Sequence, residues 1–87
     1  MEINSNELPI FYRKRRGEEK NETAYLIGIE IAHINYSSAL RLWYIYYKNI
    51  SDTIATFNHR HEVDEDIKHK VVDFLEDVLN IKDGPQT

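Results

Sequence analysis

The chain has 87 residues, enough for one domain and too few for a second. Hydrophobic residues make up 41% and charged residues 30%, a globular composition, and no apolar run approaches the roughly 18 residues of a spanning helix. Cysteine is absent, which excludes disulfides, cysteine nucleophiles and thiolate zinc sites, while a net charge of -4 argues against a generic nucleic-acid binder.

The charge is unevenly placed. From Glu62 to the C-terminus there are eight acids against three bases, so that end carries -5 and residues 1–61 carry +1. The start, MEINSNELP, is polar and acidic and has no apolar leader segment, so a cytoplasmic protein is expected. The whole chain, residues 1–87, is read as a single domain with frayed ends at 1–8 and 83–87.

In chain order, Pro9 opens IFYRKRR, a short strand whose proline and cations suit a sheet edge. GEEKNET, residues 17–23, reads as a loop. AYLIGIEIAHI alternates with period two and is rich in β-branched residues, which predicts one continuous strand. NYSS reads as a turn, ALRLWYIYYK as the next strand, NISD as a turn and TIATFNHRH as a fourth strand. The period then changes: Ile67, Val71, Phe74, Leu75, Val78 and Leu79 follow helical spacing, with Asp64 as the expected cap and Asp66–Lys70 as an i,i+4 pair. Gly84-Pro85 is the expected stop. The expected fold is α+β: a four-stranded antiparallel meander (ββββ) followed by one C-terminal helix packed on one sheet face.

RLWYIYYK, residues 41–48, places large groups on both faces of its strand. A two-residue turn at Ser37-Ser38 sets Ile31 opposite Tyr44, Ile29 opposite Tyr46 and His33 opposite Leu42. The same rule at Asn49–Asp52 adds Ala55, Phe57 and His59 to that face, which carries the unbroken Ile and Phe set and is assigned to the helix. The other face then reads Arg41, Trp43, Ile45 and Tyr47 beside Ile54, Thr56, Asn58 and Arg60. One helix cannot cover both faces, so this second surface is expected to meet another chain, and central aromatics with arginine are what interface hot spots favour. The expected binding surface is Arg41, Trp43, Ile45, Tyr47, Thr56, Asn58 and Arg60, with Arg13 and Arg15 of the basic run in the same sheet.

No catalytic pattern emerges. Ser37 and Ser38 lack elbow glycines, Gly28 is isolated, and the carboxylates fall at a helix start and on its solvated face. His59 and His61 stand at i and i+2, a spacing used in metal sites, with His33 on the same expected face, yet no third ligand is fixed; no metal and no cofactor are expected. The leading expectation is a non-enzymatic protein-binding module whose partner is another protein or a second copy of itself in a homodimer. The alternative is single-strand nucleic-acid binding on a basic, aromatic sheet face. A meander followed by one helix loosely resembles PC4-like single-stranded DNA-binding domains, which dimerise. In size, in Ile, Asn and Tyr richness and in its lack of catalytic pattern, the chain also looks like small phage-encoded accessory proteins and inhibitors.

Overall fold

The computed structural model describes residues 8–17 and 20–79. Five strands form one antiparallel sheet, in the order β1 (Ile10–Lys14), β2 (Glu22–Leu26), β3 (Ile29–Ser37), β4 (Leu42–Tyr47) and β5 (Ile54–Phe57). A single helix, α1 (Arg60–Leu79), follows. The α+β class and the C-terminal helix match the sequence reading; the strand count does not, since there are five strands where four were expected. The Gly84-Pro85 stop and the frayed ends lie outside the described residues, except Leu8, which packs against the core.

The extra strand comes from a turn hidden inside AYLIGIEIAHI. Ile27 and Gly28 both have positive φ, 51° and 80°, the conformation of a two-residue hairpin turn whose twist suits the flanking strands. Glycine adopts it freely; isoleucine, branched at Cβ, does so at a cost. The hairpin also carries a β-bulge, because Ala24 pairs with Ala32 while Tyr25 pairs with Glu30, leaving Ile31 as the extra residue. Ile31 and its neighbour Ala32 are consequently both buried.

Loop lengths decide which side chains share a face. The β3–β4 turn spans residues 38–41, so Tyr44 lies opposite Asn35 and Tyr46 opposite His33. The pairing is displaced by four residues from the expected one, and an even displacement leaves the faces unchanged. The β4–β5 connection reverses the outcome. Ile45 pairs with Ala55 and Trp43 with Phe57, which places odd residues of β4 beside odd residues of β5. Ala55 and Phe57 of β5 thus join Trp43, Ile45 and Tyr47.

That face, with Ala24, Leu26, Ala32 and Ile34, is the one the helix covers. Val63, Ile67 and Val71, spaced four apart, are fully buried against it. The expectation that the helix sits on the opposite face is therefore overturned. Val78 and Leu79, expected to face the core, are exposed in the last described turn.

The helix begins four residues before the expected Asp64 cap, and β5 ends at Phe57 rather than running through His61. Glu62 Oε1 accepts the His59 backbone N–H at 3.0 Å, the reciprocal half of a capping box. Asp64 instead sits inside the first turns, accepting from Arg60.

Polar ties fasten the helix. The Tyr47 hydroxyl donates to Asp66 Oδ2 at 2.6 Å, and Lys70, paired with Asp66 at 3.5 Å as expected, lies over the Tyr47 ring. Arg60 bridges Asp64 to Glu22 of β2 at 2.9 Å, with its guanidinium over the Tyr12 and Trp43 rings. Burial, then hydrogen bonding to Asp66 and its charge, pushes the Tyr47 hydroxyl well above the usual tyrosine range. Burial and Asp64 do the same for Tyr12.

Candidate functional site: the open sheet face

With the helix on one side, the other side of the sheet is left uncovered among the described residues. Register fixes what it shows. One row crosses all five strands: Arg13, Thr23, His33, Tyr46 and Ile54 lie directly opposite one another in succession. Adjacent strands are about 4.8 Å apart, so the row is a line of side chains about 19 Å long. Beside it run Phe11, Tyr25 and Glu30 on one side and Asn35, Tyr44 and Thr56 on the other.

Several of these groups are well exposed. Phe11 is 65% exposed, Ile54 66% and Tyr46 44%. Thr23 lies in the middle of the row and is only 5% exposed. Exposed aromatic and aliphatic groups gathered on one face mark a binding surface more often than scattered ones do.

The face is also positive. Arg13, Arg15 and Lys48 belong to it, and Glu30 is its one acid among the described strand residues. Lys48 Nζ lies 2.6 Å from Glu30 and His33 Nε2 lies 3.2 Å from the same carboxylate. Lys48, then His33, hold the Glu30 carboxyl below the ordinary carboxylate range. Arg15 reaches over to β3, donating to the Asn35 side chain and the Ile34 carbonyl. At the β1 edge, Arg13, Lys14, Arg15 and Arg16, with Thr23 and Tyr25, line a shallow basin of about 540 Å³.

The helix is the counterpart. It carries seven acids against three bases, and it lies on the far side of the sheet. Charge is thus sorted by layer: a basic, aromatic sheet face and an acidic helix.

The expected binding residues are dispersed by this arrangement. Trp43, Ile45 and Tyr47 lie beneath the helix, and Ile45 is fully buried. Arg60 is helical and engaged with Glu22 and Asp64. Arg41 is exposed in the β3–β4 turn with a φ of 55°, and Asn58 lies in the link before the helix. Arg13, Arg15 and Thr56 remain together with the open face. Sequence reasoning missed Phe11, Tyr25, Tyr44 and Tyr46 as surface groups. The signal that locates them is the parity of the β4–β5 loop, together with the neutral, small Ala55 beside Ile45.

The histidines do not converge. His59 precedes the helix and His61 is in its first turn, their rings stacked 5.6 Å apart, while His33 is engaged with Glu30 on the open face. Among the described residues no group of three or more His, Asp or Glu is arranged to hold a metal ion. No described helix is long and apolar enough to cross a membrane.

No family model matches the chain, and neither a curated protein nor a solved structure matches it.

Proposed function

We propose that the chain is a non-enzymatic binding module for single-stranded nucleic acid, and that the open sheet face is where the strand lies. One observation carries this reading: the basic, aromatic face and the acidic helix lie on opposite sides of the sheet. A polyanion approaching the sheet meets Arg13 and Arg15, with Lys48 beside Glu30, and stays clear of the helix acids, which lie on the far side of the sheet. Phe11, Tyr25, Tyr44 and Tyr46 offer ring faces, and every base has a face to stack on. The net charge of -4 weighs less against it once seven of the ten acids among the described residues are on the helix, on the far side of the sheet.

Fluorescence anisotropy with a labelled single-stranded oligonucleotide tests the reading. Binding is expected at low salt, weakening steeply as salt rises, and stronger than to duplex of the same length. No binding at low salt sinks it.

A second reading, a protein-binding module acting as an accessory or inhibitor protein, draws on the exposure of Phe11 and Ile54 near opposite edges of the same face. Under that reading the partner's contacting surface is acidic where it meets the β1 edge. A pull-down from source cells, with and without nuclease, separates the two, since a protein partner survives nuclease.

A further inference from the structure

The basin at the β1 edge gathers four cationic side chains, Arg13, Lys14, Arg15 and Arg16. Arg13 and Arg16 are exposed and have no ion-pair partner among the described residues. Arg15 is held in place by Asn35 and the Ile34 carbonyl, so its charge is fixed at the basin wall rather than swinging in solvent. Thr23, in the row that crosses the sheet, lines the basin too. Tyr25 lines one side and lies directly opposite Phe11 on β1.

A cationic basin alone asks for an anion. A cationic basin abutting a pair of ring faces asks for an anion covalently linked to a planar group. An acidic peptide satisfies the first requirement and leaves Phe11 and Tyr25 without a planar partner. A nucleotide satisfies both. Resting on the single-strand reading above, we propose that this basin is a phosphate subsite: it holds a backbone phosphodiester of the strand, whose neighbouring base stacks against Phe11 and Tyr25. From there the strand continues along the row Thr23, His33, Tyr46 towards Ile54. The arrangement gives the two halves of the face different jobs. The β1 edge supplies charge, and the middle strands supply stacking.

The division of labour has a direct readout. Each phosphate neutralised on a single strand contributes roughly 0.7 to the slope of log affinity against log salt. The double variant Arg13→Ala/Arg16→Ala is expected to lower that slope by about 0.7, the increment of the one phosphate the basin holds, with melting temperature unchanged because both side chains are exposed. Tyr46→Ala is expected to weaken binding by about tenfold or more with the slope unchanged, because a stacking contact releases no counterions. A double variant that keeps the wild-type slope while the wild type binds oligonucleotide overturns the phosphate subsite and leaves the functional reading standing. A wild type that ignores oligonucleotide but binds polyglutamate through Arg13 and Arg16 overturns both and identifies the basin as a docking point for acidic protein.

Discussion

The two sides of strand β4 are built from the same kinds of residue and do opposite things. Trp43, Ile45 and Tyr47 look into the helix; Tyr44 and Tyr46 look out. Both sides carry rings, so hydrophobicity along the strand does not distinguish them. The neighbours do. On the inner side stand Ile34, Ala32, Ala55 and Phe57, apolar and in part small, leaving room for Val63, Ile67 and Val71 to sit down on them. On the outer side stand His33, Asn35, Ile54 and Thr56, and no described element covers them. The lesson is that burial belongs to a patch of the sheet rather than to a strand.

The largest break in this comparison comes from the inner side. Ile45 is fully buried between Ile34 and Ala55. Ile45→Ala removes apolar contacts and leaves a cavity, and is expected to cost about 2–5 kcal/mol, read as a lower midpoint in urea. For a domain this small that is a large share of its total stability. An unchanged midpoint contradicts the placement of the helix on this face.

Alkaline pH probes the same side. The folded-state pKa values of Tyr47 and Tyr12 lie above the ordinary value of about 10, with burial the main cause, whereas in the unfolded chain both ionise near that value. Their contribution is therefore fully present below pH of about 10 and is lost as pH rises above it, by up to about 1.4 kcal/mol per pH unit for each tyrosine. Melting midpoints should hold between about pH 9 and 10 and fall steeply above about pH 10. Tyr47→Phe removes one of the two titrations and makes the fall shallower, at the cost of about 1.5 kcal/mol near neutral pH for the lost hydrogen bond to Asp66. A variant with the wild-type slope above pH 10 would show that Tyr47 is not protonated against burial.

The class, the helix and the meander are legible in the sequence because they depend on periodicity, and periodicity is local. Val71 and Ile67 announce the helix wherever it packs. The face assignment is a different kind of quantity. It depends on whether a loop has an odd or an even number of residues, and one residue moves a whole strand's side chains across the sheet. Reading the four residues Asn49–Asp52 as the whole connection, where seven lie between the paired Tyr46 and Ile54, puts Ala55 and Phe57 on the wrong side and, with them, the helix. The hairpin at Ile27-Gly28 is harder to read, since the apolar alternation runs straight through it and isoleucine is a poor choice for its position. Gly28 within a strand pattern is the available signal. Ile27 is 73% exposed with a φ of 51°, so Ile27→Asn supplies the residue this turn favours and is expected to raise stability by about 1 kcal/mol, seen in thermal melts. A destabilised variant would mean that the Ile27 side chain makes contacts worth more than its strained backbone costs.

The smallest effect on stability is expected on the outer side of β4, where it says the most about function. Tyr46 stands between His33 and Ile54 and is 44% exposed. Tyr46→Ala should change stability by no more than about 0.5 kcal/mol, the range of ordinary surface substitutions. Trp43→Ala, three residues away on the covered side, should cost several times that, because its ring packs against Tyr36 at 4.7 Å and beneath Arg60. Two ring deletions on one six-residue strand thus give opposite pairs of outcomes. If the outer face binds, Tyr46→Ala keeps the fold and loses the ligand, while Trp43→Ala loses both together because the sheet that presents the ligand surface comes apart. Equal destabilisation by the two variants would mean that something also covers the outer face in solution, and light scattering on the wild-type chain would then show a species heavier than the monomer.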